Sequence, residues 1–345
     1  VAVAGAGRRH GRAFIGSFTT AGGLGVLTAA LEEGTGALTA LGALDGVANP
    51  SYLALAGDML YAVSETDDGA VAAFRVTGDM PEPAGDPVPV DGSDPTHLTV
   101  FDGHVLTANY SSGSFSAVPV RPDGGLADKV SGVLAHQGSG PDTARQEAPH
   151  AHQVLPDPSG RRLLGVDLGT DSVRVYTLVD GAPVVHRETA LRPGSGPRHL
   201  AFHPGGERAY VLNELAPTIT VCGWDAAEGE LRPLAETPVL PGTPDGDAYP
   251  SGIVVSPDGR FVWTATRGQD VLSVLSVDGG LTLVATVPCG GAWPRDLALH
   301  PSGRFLYAAN ERSGDVTWFA VDPETGIPRR SGSIAVPAAS CVVFG

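Results

Sequence analysis

Lysine is nearly absent from this 345-residue chain: Lys129 is the only one, so the basic residues are almost all arginine. Arginine suits a two-point grip on carboxylate or phosphate, where lysine offers a compact point charge. Cysteine is scarce too. Cys222, Cys289 and Cys341 are an odd number at unrelated spacings, which supports neither a disulfide framework nor a zinc cluster and reads as three small core hydrophobes. Positive charge is in deficit, with a formal net charge of -16, and this argues against a nucleic-acid partner, whose phosphate backbone calls for basic patches. A small anion remains compatible if positive charge is concentrated locally. No apolar run approaches the roughly 20 residues that span a bilayer. The opening VAVAGAGRRH also lacks the charged-then-apolar order of a secretory signal. These absences predict a cytoplasmic protein without a membrane partner.

What the chain does have is glycine and proline, 47 and 29 of them, scattered between apolar runs instead of gathered into tracts. That is the composition of a turn-rich globular chain. The same pattern recurs six times: NPSYLALAGDMLYAVSE, DPTHLTVFDGHVLTANY, APHAHQVLPDPSGRRLLGVDL, GPRHLAFHPGGERAYVLNE, YPSGIVVSPDGRFVWTATR and WPRDLALHPSGRFLYAANE. Each holds a proline, a short apolar strand, a turn and a second strand, and a third strand follows in most copies. The anchoring prolines are Pro50, Pro95, Pro149, Pro197, Pro250 and Pro294. A period of about 43 to 54 residues suits one four-stranded propeller blade per repeat. The ends complement each other. AFIGSFT, GVLTAALEE and ALTALGAL supply strands two to four without a first, and PAASCVVFG supplies a first strand without the others. Joining them closes the ring and removes its exposed edges. The expectation is an all-β, single-domain protein over residues 1–345: a seven-bladed β-propeller of four-stranded antiparallel blades, with both termini sharing one blade.

The topology locates a functional face. Strands one and two are antiparallel, so the start of one and the end of two lie at the same end of the blade. The turns PDPSGR, HPGGER, SPDGR and HPSGR lie at the other, which makes Arg161, Arg260 and Arg304 solvated turn charges. At the opposite mouth, Ser51, Thr96, His150, Arg198, Ser251 and Arg295 follow the prolines, and Glu65, Asn109, Asp167, Glu214, Arg267 and Asn310 follow the second strands.

The stretch RQEAPHAHQ, Arg145 to Gln153, places two of the ten histidines on alternate residues. In an extended segment His150 and His152 face the same way. Three readings compete: a buried, hydrogen-bonded core histidine beside an incidental one, a metal site, or acid and base work near neutral pH. A metal is disfavoured because no third His, Cys or carboxylate stands at close spacing. No nucleophile elbow is present. The two GSGP stretches are tight-turn signals and not phosphate loops, since no helix follows. His150, Arg198, Glu214, Arg267 and Arg295 together would hold an anion in a funnel and offer it a titratable group.

HQGSGPDTARQEAPHAHQVLPDPSGRRLLGVDLGTDSVRVY, GSGPRHLAFHP, AYVLNELAPTITV, SPDGRFVWTATRGQD and HPSGRFLYAANERSGDV resemble the lactonase family of seven-bladed propellers. That family includes the propeller-type 6-phosphogluconolactonases and, more distantly, a fungal carboxymuconate lactonizing enzyme. The resemblance implies a metal-independent, cofactor-free enzyme that opens or closes a lactone ring in an anionic sugar acid or dicarboxylic acid. It implies active-site roles for His150 in APHAH, Arg198 in GPRH and Glu214 in LNEL, and substrate binding by Arg267 in TRGQD. Arg145, Gln146, Asn109, Asp167, His152 and Arg295 complete the expected substrate-binding set. One departure concerns LPGTPDGDAYPSG, which enters the fifth repeat where the family carries a more apolar, small-residue entry.

The expected reaction is hydrolysis of 6-phosphogluconolactone, by a monomer or weak homodimer. His150, nearest the mouth, transfers the proton, and His152, one step deeper, fixes a water or a neighbour. Two other readings are a lactonizing cycloisomerase acting on a muconate-type dicarboxylate and a non-catalytic scaffold that binds a protein or peptide. Aromatic anchors would favour the scaffold. Only Tyr249 and Trp293 stand near the rim, where charge dominates.

Overall fold

The computed structural model describes residues 11–345, and these fold into seven antiparallel sheets, each built on a four-strand path. The secretory pattern sought in residues 1–10 lies outside the described residues. Blade 1 joins the two ends of the chain, with Ala339–Phe344 innermost, followed by Gly11–Ser17, Val26–Leu31 and Leu38–Leu44. Ile15 pairs with Val342 and Phe14 with Val343. The innermost strand of this blade packs on those of both neighbours, Pro294–Leu299 and Leu53–Ala56, which closes the ring. Blade 2 departs from the regular plan, because its outer strand is split into Glu82–Pro83 and Val88–Pro89. Prolines in the PEPAGDPVP stretch remove the backbone donors that a continuous strand would need, and an edge strand tolerates this.

The second strand of each blade explains why the sequence reads as apolar runs instead of alternation. Met59–Ser64, Leu163–Asp167 and Phe305–Asn310 are buried at every position, because adjacent blades cover both faces. The core therefore lies between blades. Tyr61 and Val63 of blade 2 meet Leu98 and Val105 of blade 3, and Leu164 and Val166 of blade 4 meet Leu200 and Val211 of blade 5. Each such side chain contributes about 1.5–3 kcal/mol when fully buried. Outer strands such as Ala182–Ala190 face solvent and are mostly exposed.

At the turn end, Asp157 accepts backbone N–H bonds from Arg161 and Arg162 at 3.0 and 2.9 Å. Arg161, Arg260 and Arg304 are exposed there, and each also donates to a carbonyl in an adjacent blade: Ala226, Pro323 and Glu33.

Strand register corrects the proline alignment at one blade. Pro197 and Pro294 lie opposite the last residues of their second strands, Asn213 and Asn310, but in blade 4 that place belongs to Ala151, opposite Asp167. The innermost strand accordingly runs Ala151–Pro156. His152 thus holds the bulge position that Arg198 and Arg295 hold elsewhere, and His150 precedes the strand.

Candidate active site

Glu214 is the centre of the mouth. It follows Arg208–Asn213, the second strand of blade 5, and its side chain is 4% exposed. Three guanidiniums surround it: Arg198 Nε at 3.1 Å and Arg267 Nη2 at 2.7 Å from Oε2, and Arg145 Nη2 at 2.5 Å from Oε1. Each arrives by a different route. Arg198 sits at the bulge of blade 5's innermost strand, and Arg267 ends the second strand of blade 6. Arg145 comes from the loop that leads into blade 4. There the backbone N–H groups of Arg145 and Gln146 bond to Asp142 O, and Gln146 Nε2 donates to Leu168 O at 2.9 Å. The loop crosses close to Gly169, where a Cβ would stand 1.9 Å from Ala148 O. Only glycine leaves room for that passage.

Burial alone would raise the Glu214 carboxyl, but Arg267, Arg198 and Arg145 outweigh it and hold it at about 2. It is a fixed anion and not a proton donor at neutral pH. Arg198, 3% exposed, is pushed down first by burial and then by Arg267, with Glu214 opposing. Its Nη1 donates to Ser251 O, and the buried Nε makes no hydrogen bond beyond the ion pair. Arg145 rises: burial works against its charge, yet Glu214 and Tyr110 prevail.

The two histidines differ. His150 stacks on Tyr110, with ring centroids 4.4 Å apart. Its Nδ1 lies 3.1 Å from Tyr110 O and its Nε2 3.1 Å from Glu147 Oε1. Both ring nitrogens therefore face acceptor oxygens. Its backbone N–H donates to Asp167 Oδ1 at 2.9 Å. His152 is buried, and its Nδ1 lacks a partner. Burial, then Arg198 and Arg295, hold it well below the usual imidazole range, so it is neutral at pH 7. His97 and His199 occupy equivalent inner-strand positions of blades 3 and 5, and the His199 ring lies 5.6 Å from His97 and 5.3 Å from His152. His97 is lowered to about 3, by burial first and Arg198 second. Tyr52 caps this row, 4.1 Å from His97.

Across the mouth, Arg295 lies between Glu65 Oε1 at 3.5 Å and Glu311 Oε2 at 3.4 Å, with Phe18 beneath its guanidinium. A small cavity of about 10 Å³, room for about one water, lies below, lined by Ser51, Thr96, Arg198, His199, Arg295 and Asp296 among others. Larger hollows lie away from the axis, near Pro158 and Trp224 and near Arg12 and Leu55. Neither gathers buried titratable groups, so chemistry and not volume marks the site. Among the described residues no group of three or more His, Cys, Asp or Glu is arranged to hold a metal ion.

Of the residues singled out in the sequence, His150, His152, Arg145, Arg198, Glu214, Arg267 and Arg295 meet at the mouth. Asn109, Asp167 and Gln146 do not reach it. Asn109 is fully buried and bonds Thr107, Ser114 and Ser116. Asp167, also fully buried, accepts from His136 Nδ1 at 2.5 Å and Arg174 Nη1 at 3.2 Å, besides the His150 backbone. Gln146 is spent on tying its loop to Leu168 O. The physical reason is a slip of one residue: Asn109, Asp167 and Asn310 end their strands, whereas Glu65, Glu214 and Glu311 follow theirs. Adjacent residues of an extended chain point to opposite faces. Tyr110, Glu311, Tyr52, His97 and His199 were missed, although their signal was present in the repeat, as the residue after strand two or the second after the proline.

The protein-family model described as Lactonase, 7-bladed beta-propeller matches residues 12–344. A 6-phosphogluconolactonase of Bacillus subtilis is 35% identical over 341 residues, covering 96% of this chain and 97% of that protein. One of Formosa agariphila is 30% identical, with 91% and 93% covered. Among solved structures, the periplasmic gluconolactonase of Pseudomonas aeruginosa superposes with a TM-score of 0.89 at 29% identity, covering 97% of this chain and 98% of its own. This chain belongs to the lactonase family of seven-bladed β-propellers.

Proposed function

We propose that the protein hydrolyses 6-phosphogluconolactone to 6-phosphogluconate at the axial mouth. The observation that carries this reading is the convergence of Arg145, Arg198 and Arg267 on Glu214 beside the imidazoles of His150 and His152. The near-full-length similarity to a 6-phosphogluconolactonase supports it. Water attacks the lactone carbonyl carbon, the bond from that carbon to the ring oxygen breaks, and the ring oxygen leaves as a hydroxyl. Arg198, buried and pinned by Glu214, stabilises the charge that grows on the carbonyl oxygen. His152, neutral, accepts a hydrogen bond from the attacking water and fixes it in place. His150 takes the proton of that water at Nε2 and returns it to the ring oxygen as it leaves, and the substrate's approach displaces Glu147 from that nitrogen. Glu214 spaces the three guanidiniums and takes no proton.

The accompanying reading is a metal-independent enzyme of the cytoplasm, a monomer or weak homodimer. The described residues contain no helix long and apolar enough to cross a membrane. The direct test is a panel of phosphorylated and unphosphorylated sugar lactones, each assayed for ring opening against its spontaneous rate. Acceleration confined to sugar lactones, greatest for the phosphorylated one, is the expected result. No acceleration of any of them would overturn the reading.

A further inference from the structure

The loop CGGAWP leading into blade 7 builds a second feature on the rim. Trp293 adopts a φ of 63°, a left-handed conformation that is a genuine outlier for a bulky residue. The surroundings enforce it: Trp293 N–H donates to Asp270 Oδ1 at 2.8 Å, and Trp293 O accepts from Glu311 N–H at 3.0 Å. Gly291 lets the loop close, since a Cβ there would stand 2.5 Å from Asn310 Nδ2. The held indole carries guanidiniums. Arg312 lies 3.3 Å from its ring centroid and Arg267 5.7 Å. Tyr249, edge-on to the indole at 6.2 Å, carries Arg267 at 5.9 Å and Arg145 at 5.8 Å.

Two half-buried aromatic rings thus hold a row of three guanidiniums, and the row is graded in exposure. Arg267 is buried, Arg145 has a side-chain exposure of 35%, and Arg312 is exposed. Their carboxylates are unevenly shared. Glu214 answers Arg145 and Arg267 as well as Arg198, and Glu311 is engaged by Arg295. Arg312 forms no ion pair or side-chain hydrogen bond among the described residues, and its cation is fixed in place by the indole. Stacking of this kind holds the planar fork ready for a bidentate partner. A phosphate monoester carries -1.5 to -2 charge at neutral pH, and on a sugar lactone it lies at the end remote from the carbonyl.

Resting on the hydrolase reading above, we infer that Arg312, stacked on Trp293, with Arg145 and Arg267 forms the phosphate subsite of the mouth. It selects phosphorylated over unphosphorylated sugar acids, while Arg198 serves the reacting end. The test is calorimetric titration of the full chain with 6-phosphogluconate and with gluconate, for the wild type, Arg312→Gln and Trp293→Phe. Both ligands are inert, so the readout does not depend on turnover. The wild type should bind the phosphorylated ligand more tightly. Arg312→Gln should weaken that binding about tenfold or more and leave gluconate unchanged, as loss of a charge-assisted contact predicts. Trp293→Phe should give a smaller loss in the same direction. Absence of a wild-type preference, an Arg312→Gln protein that keeps the preference, or equal weakening of both ligands would overturn the subsite. If Arg312→Gln abolishes a preference in a protein that opens no lactone, the subsite stands and the hydrolase reading falls.

Discussion

Replacing Glu214 by glutamine keeps the shape of the side chain and removes the one anion that Arg145, Arg198 and Arg267 share. The carboxyl is held at about 2 against an ordinary 4.5. At about 1.4 kcal/mol for each tenfold change, that difference is worth roughly 3 kcal/mol. It falls within the roughly 3–5 kcal/mol lost when a buried pair is broken from one side. The sign follows from linkage. A depressed carboxyl contributes fully above its unfolded-state value and progressively less as pH falls through its folded value. Urea denaturation midpoints of wild type and Glu214→Gln should therefore differ by a constant amount between pH 6 and 8. The gap should shrink below about pH 4.5 and be nearly closed at about pH 2. Ring-opening activity should fall as well, because the guanidiniums would no longer hold their spacing. A variant as stable as the wild type at pH 7, or a gap that does not change with pH, would refute the electrostatic role.

Deleting residues 337–345 removes the strand that pairs Ile15 with Val342, so the truncated chain should lose its cooperative melt; a transition at the parent temperature would contradict ring closure. Arg198→Ala and Arg267→Ala should weaken binding of 6-phosphogluconate, whereas Arg260→Ala and Arg304→Ala at the turn end should not; isothermal titration that found equal effects at both ends would place the mouth wrongly. Asp167→Asn, with His136, Arg174 and the His150 backbone as its partners, should lower the melting temperature by several degrees, and an unchanged melt would show that this network is not holding the blade together.

The blade count, ring closure through Cys341–Phe344 and most of the mouth were legible because the proline, turn and strand signals repeat with the fold. Register was less so. Pro149 invites alignment with Pro197, but the backbone puts Ala151 there, and local sequence does not distinguish a shift of two residues on the same face. The slip that hides Asn109 and Asp167 is hard to see for a related reason: at strand ends such as Asn213–Glu214 and Asn310–Glu311 both neighbours are polar, and alternation decides which one enters the blade. Arg145 reaches Glu214 through a loop whose path depends on Gln146 and Gly169, a tertiary matter that spacing does not encode. Tyr110 and the row of His97 and His199 were overlooked because aromatic side chains near an axis read as core until their rings are seen in contact.

The central claim is that the mouth catalyses lactone hydrolysis through His150. It is tested most directly by the initial rate of acid release from 6-phosphogluconolactone at pH 7 and saturating substrate, with the spontaneous rate subtracted. Wild type should exceed the spontaneous rate, and His150→Ala, with an unchanged melting temperature, should turn over roughly two to four orders of magnitude more slowly, the usual contribution of a positioned general acid or base. A wild type no faster than buffer, or a folded His150→Ala at the wild-type rate, would contradict the account.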